Sequence, residues 1–150
     1  FGLDLTAGRL TMADLQPNSD AMKSLRAVGL RPTRQRMALA RLLFGQGNMH
    51  VTAESLYDSA QEAGIQVSLA TVYNTLHQFT TAGLLRQVVV DSSRCYFDTN
   101  VDEHHHFYFE ESGELADIPS EFIRSMAPMD LPAGTELSRI DIVVRLRSNG

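Results

Sequence analysis

One cysteine, Cys95, and no tryptophan stand in 150 residues. A lone thiol closes no intrachain disulfide and no multi-cysteine zinc site, so zinc-finger architecture is excluded and a reducing compartment is expected. No apolar run approaches the roughly 18 residues a membrane helix needs, and no basic segment followed by an apolar core opens the chain. A cytoplasmic protein with no membrane partner is therefore expected. A glycine-rich phosphate loop is missing, and so is a visible nucleophile and base pair. The chain opens with Phe1 rather than Met, so it reads as a trimmed fragment from which an upstream motif can have been lost.

What is present is ordinary globular usage, 43% hydrophobic and 21% charged, enough for one medium domain or two small ones. The net charge of −5 hides a gradient. Between Met22 and Arg86, seven basic residues (Lys23, Arg26, Arg31, Arg34, Arg36, Arg41, Arg86) face three acids (Glu54, Asp58, Glu62), and from Gln87 onward twelve acids face five arginines. A basic module of that kind is the electrostatic footprint of a DNA-binding domain, and an acidic one suits cations or haem.

Four short helices are expected in the basic module. The first runs roughly from Asp20 to Val28 and ends at Gly29. The second starts at Thr33 as N-cap and runs to about Phe44, with Met37, Ala40, Leu43 and Phe44 on one face. Thr52 caps the third, in which Leu56, Ala60 and Ala63 share a face before Gly64. Ser68 caps the fourth, with Val72, Leu76 and Phe79 at helical spacing and Gly83 beyond its end. A hairpin follows, Leu84 to Val90 and Arg94 to Phe97 around the turn Asp91-Ser92-Ser93. Helix-turn-helix and hairpin together make a winged helix.

The acidic module reads as a second hairpin, Phe107 to Phe109 and Glu114 to Ile118, then a helix from Pro119 and Ser120 to Met126. A last strand over Arg139–Arg147 follows, with Ile140, Ile142, Val144 and Leu146 on one face. So small a sheet is expected to pair with a second copy. The fold class is thus α+β, an N-terminal winged helix-turn-helix domain followed by a small α/β dimerisation domain. The division expected is 1–21 as an arm or extra helix broken at Gln16-Pro17-Asn18-Ser19, 22–98 as the DNA-binding domain with its hinge, and 99–150 as the dimerisation and sensing domain.

His104-His105-His106 is the chemical anomaly. Strand alternation sends His104 and His106 to one face and His105 to the other, so one metal takes at most two of the three. Asp98, Asp117 and His50 are the candidates to complete a hard or borderline site for Fe(II), Mn(II) or Zn(II). The same His-x-His pair with a carboxylate also fits a non-haem iron enzyme as a distant alternative.

Gly29-Leu30-Arg31-Pro32-Thr33-Arg34-Gln35-Arg36, His50-Val51-Thr52-Ala53-Glu54-Ser55-Leu56-Tyr57, Ser68-Leu69-Ala70-Thr71-Val72-Tyr73-Asn74-Thr75-Leu76 and His104-His105-His106 together resemble the ferric uptake regulator (Fur) family. The resemblance implies a dimeric winged-helix repressor, not an enzyme. It implies a regulatory divalent metal site at His50, Asp98, His104, His106 and Asp117, and an A/T-rich inverted repeat in double-stranded DNA as partner. Within the family, a structural-zinc Cys-x-x-Cys is replaced here by Phe109 and Ser112. Together with the histidine triplet, this resembles the iron response regulator (Irr) branch of alphaproteobacteria. That branch implies a regulator active under low iron, repressing haem synthesis and iron-using genes and released from DNA by haem. Haem would be bound at His104, His105 and His106, and a haem-delivering enzyme is a further implied partner. The Mn(II)- or peroxide-sensing branch shares the five ligands and is the alternative.

For DNA, Ser68 and Thr71 offer hydroxyls beside the amide groups of a helix N-terminus. Tyr73 resembles the family tyrosine that packs on thymine methyls. Asn74 stands where the family carries arginine and can pair with adenine or touch the backbone. Arg31 matches the residue that enters a minor groove, and Arg34 and Arg36 are phosphate candidates.

Overall fold

A computed structural model describes residues 12–119, 121 and 129–150, and the side chains from residue 20 onward. The chain divides into two compact units, the first ending at Val101 and the second running from Asp102 to Gly150.

The first unit holds α1 (Met12–Ala27), α2 (Arg34–Leu43), β1 (His50–Val51), α3 (Ala53–Glu62), α4 (Leu69–Thr81), β2 (Arg86–Asp91) and β3 (Arg94–Asp98). The hydroxyl-bearing caps lie where they were expected. Thr33 accepts from the Arg36 amide at 3.2 Å, and Ser68 from the Thr71 amide at 3.1 Å. Thr52 and Ser55 satisfy each other's backbone amides in a capping box. At the other ends of α3 and α4 the chain turns through Gly64 and Gly83, whose positive φ angles of 75° and 89° are costly for any side chain bearing a Cβ. The Ile65 amide then returns to the Ala60 carbonyl and the Leu84 amide to that of Phe79, so the last carbonyls are not left bare.

The helices close on one core. Leu25 of α1 joins Leu39 and Leu43 of α2, Leu56 and Ala60 of α3, and Val72, Leu76 and Phe79 of α4, with Leu85 and Phe97 beneath. Each is almost fully removed from water, at roughly 1.5–3 kcal/mol per large side chain. Ala63 does not belong to this face. It is the exposed C-cap of α3, because the helix ends one residue before it.

Three expectations change. The first helix starts at Met12, so the segment Gln16-Pro17-Asn18-Ser19 lies inside α1 and does not break it. Pro17 falls in the second turn and deletes one backbone donor near a helix start, where the ladder is still short. The first strand of the wing begins at Arg86, because Leu84 is tied back to α4. The wing is also not a simple hairpin. A two-residue strand, β1, pairs antiparallel with β3 to give the order β1-β3-β2. The turn is narrowed to Ser92 and Ser93, with the Asp91 carboxylate accepting from both the amide and the hydroxyl of Ser93 at 2.9 Å.

The second unit is a sheet of order β5-β4-β6, made of β4 (His105–Phe109), β5 (Glu114–Ile118) and β6 (Val143–Leu146). β4 runs antiparallel to β5 and parallel to β6. Tyr108 and Ile118 are buried in it. The last strand is shorter than expected. Ile140 and Ile142 precede it, although the Ile142 carbonyl already accepts from the His106 amide at 3.1 Å. The helix expected from Ser120 to Met126 lies outside the described residues. Among the described residues no helix is long and apolar enough to cross a membrane.

Candidate functional site

In the first unit, α3 and α4 form the helix-turn-helix, and α4 turns Leu69, Ala70, Tyr73 and Asn74 outward. Ser68 Oγ both accepts from the Thr71 amide and donates to Thr71 Oγ1 at 2.9 Å, so the two hydroxyls cap the helix as a pair. Tyr73 is exposed, but its hydroxyl donates to Glu54 Oε2 of α3 at 2.8 Å. That bond is the main reason the phenol holds its proton above the ordinary value of 10.0, with lesser help from desolvation and the Glu54 charge. Nothing in the sequence pairs Glu54 with Tyr73, since nineteen positions separate the two residues.

The arginines divide by surroundings. Arg31 and Arg34 are exposed. Arg36 is half-buried: its Nε and Nη2 donate to Gln78 Oε1 of α4 at 3.2 and 3.0 Å, and its Nη1 donates to the Arg31 carbonyl at 2.9 Å. Cys95, on β3, is not a ligand in the described contacts. Its thiol takes a contact from Gln87 Nε2 at 2.8 Å, and burial pushes its pKa up against the opposing pull of that donor.

Two groups of metal-type donors emerge, one in each unit. In the first, the β1–β3 register places His50 opposite Asp98, and His50 Nε2 lies 3.1 Å from Asp98 Oδ2. Asp98 is fully buried, and its Oδ1 accepts from the Asn100 amide at 2.9 Å. A buried carboxylate is tolerated only where charge or donors meet it, and here an imidazole and a backbone amide do so.

In the second unit, β4–β5 pairing sets His106 across from Asp117. His104 Nε2 and His106 Nε2 each lie 3.5 Å from Asp117 Oδ1, and the two rings are 4.6 Å apart between centroids. The Nδ1 of His104 is 2.6 Å from the Asp102 carbonyl, which can only accept, so the ring proton belongs on Nδ1. In the neutral ring Nε2 is then a lone pair facing a carboxylate oxygen. This is the tautomer a metal ligand takes. His105 is different: it is buried, and its Nδ1 accepts from the Ile142 amide at 3.0 Å.

A winged helix whose wing sheet ends in an imidazole–carboxylate pair, with a second such cluster where β4 pairs with β5, fits the class of metal-responsive DNA-binding regulators. Comparison with known proteins gives the family. The ferric uptake regulator family model matches residues 27–144. A peroxide-responsive repressor, PerR, of Staphylococcus aureus is 33% identical over 99 residues, which is 66% of this chain and 66% of that protein. The manganese-bound ferric uptake regulator of Pseudomonas aeruginosa is similar in structure, with a TM-score of 0.67 and 28% identity over 87% of this chain and 98% of that one. The ferric uptake regulator of Vibrio cholerae shares the fold at a TM-score of 0.68 and 21% identity, over 85% and 98%. The chain belongs to the ferric uptake regulator family, whose members are dimeric DNA-binding transcription regulators and not enzymes. The iron-enzyme alternative is thereby set aside.

Proposed function

We propose that this chain is a metal-dependent repressor. In this reading one divalent ion, Mn(II), Fe(II) or Zn(II), is held by His50 and Asp98 of the first unit together with His104, His106 and Asp117 of the second. The donor chemistry carries the reading: imidazole and carboxylate groups brought within 3.1 to 3.5 Å of one another, with no thiolate among them, a set that suits hard and borderline ions. An ion that binds best when all five donors converge favours that arrangement of the units by its differential affinity, and two winged helices held so fit an inverted repeat. Arg31, Arg34, Ser68, Thr71, Tyr73 and Asn74 are the proposed DNA-reading residues.

The finer reading is iron and haem response. Its support is the sequence resemblance to the Irr branch, with Phe109 and Ser112 in place of a cysteine pair. In the described fold His105 and His106 are 2% exposed, and His105 is held by Ile142, so haem ligation by the triplet would require β4 to open. The second reading, peroxide or manganese sensing, is favoured by the 33% identity to PerR.

The test starts from chelated protein and a duplex that the Mn(II)-loaded chain selects from a randomised pool. DNA affinity should rise with added Mn(II), and His50→Ala and His106→Ala should each abolish that rise. Selection of no duplex in any metal state would sink the reading. Haem added to the same complex, followed optically, should release DNA from the native chain but not from one with His104, His105 and His106 all changed to Ala. Release by hydrogen peroxide with Fe(II) bound, and none by haem, would favour the PerR-like reading.

A further inference from the structure

We infer that Arg36 is a positioning residue that sets the spacing between the two DNA-reading elements, and that it is not itself a phosphate contact. The inference rests on the DNA-binding reading above.

Arg36 lies in the first turn of α2. Three of the five donors of its guanidinium are committed within the protein. Two converge on Gln78 Oε1, at 3.2 and 3.0 Å, and the third reaches the Arg31 carbonyl at 2.9 Å. These partners belong to the two elements that must meet DNA together. Gln78 is on α4, the helix that presents Tyr73 and Asn74, and Arg31 carries the guanidinium proposed for the adjacent minor groove. The Arg31 carbonyl also accepts from the Thr33 amide at 2.9 Å, so that strand of backbone is held from two sides. A planar fork with fixed donor directions can tie a carbonyl and a side-chain amide at one distance. A lysine ammonium on its flexible stem cannot. Both contacts satisfy groups that face solvent, which makes them cheap for folding and leaves geometry as their main effect.

The experiment uses the full Mn(II)-loaded chain and the duplex it selects. Gln78→Leu carries no charge change and sits at an exposed position, so the fold should persist, as thermal unfolding will check. Arg36→Gln and Gln78→Leu should each weaken binding about tenfold while the slope of affinity against salt stays at the native value. A lost phosphate contact would instead lower the slope by about one. Arg36→Lys, which keeps the charge, should be as weak as Arg36→Gln. Arg31→Ala should cost affinity in the native background and little when combined with Gln78→Leu, a dependence that a purely structural role for Arg36 would not produce. Native affinity in Gln78→Leu or in Arg36→Lys, or a slope drop of one in Arg36→Gln, overturns the inference. Failure of the native chain to select any duplex overturns the DNA reading, and the inference with it.

Discussion

At the scale of single residues, local environment decides what each reactive group does. Cys95 is the only thiol, and it lies in the wing against Gln87. Burial raises its pKa above the ordinary 9.0, so the folded chain holds the proton more firmly than the unfolded one. This contribution to stability is complete below about pH 9 and is lost as pH rises toward the folded value. The urea midpoint of the native chain should therefore fall more steeply between pH 8 and pH 10 than that of Cys95→Ser. Iodoacetamide at pH 8 should alkylate the folded protein more slowly than the denatured one, because the thiolate is the nucleophile. Equal rates, followed by mass spectrometry, would show the thiol to be an ordinary exposed one. At this scale the sequence was legible for groups with near neighbours, such as Ser68 with Thr71 and His104 with His106. It was silent on Tyr73 with Glu54 and Arg36 with Gln78, whose partners are 19 and 42 positions away and are brought near only by helix packing.

At the scale of elements, punctuation was the readable signal. Thr33, Thr52 and Ser68 begin helices because their oxygens accept amides the helix leaves unpaired, and glycines end α3 and α4 because few other residues take positive φ. Thr52→Ala removes the capping-box bond that the Ser55 amide makes to the Thr52 hydroxyl, while the bond from the backbone amide of residue 52 to Ser55 Oγ is kept, so it should cost about 1 kcal/mol. The urea midpoint should fall with the slope unchanged, and Thr52→Ser should restore most of it. The strand β1 escaped prediction because two residues carry no alternation to read, yet its register is what sets His50 opposite Asp98. Pro17 stands past the first turn of α1, where it removes one backbone hydrogen bond, and the helix runs through it at that cost. The last strand, Val143–Leu146, is shorter than its apolar-polar alternation, which marks residues able to pair and not those that do.

For the whole molecule, the second unit poses the question of assembly. Its sheet leaves Val144 37% and Phe109 38% exposed, with Leu137 and Met129 more open still, in a unit of 49 residues by its bounds, Asp102 to Gly150. Small domains bury too small a fraction of their surface to stand comfortably alone, and dimerisation is how the family meets that shortage. Val144→Glu should yield monomers by analytical ultracentrifugation and lose affinity for an inverted repeat, because one winged helix reaches only one half-site. An intact dimer in that variant would place the interface elsewhere. Two modules, their order and their opposite charge were all legible in the chain, since each needs only its own run of residues. Assembly left its trace in the sequence only as apolar side chains with too little to cover them.

The two donor groups are each finished within their own unit. His50 and Asp98 are set by the β1–β3 register, and His104, His106 and Asp117 by the turn at Asp102 and the β4–β5 register. Each half is set by strand pairing within its own unit. In the proposed reading, mutation of the second unit's donors changes the choice of ion while the DNA-reading helices keep their shape. Over evolutionary time a regulator built this way can change the signal it obeys without relearning the genes it governs.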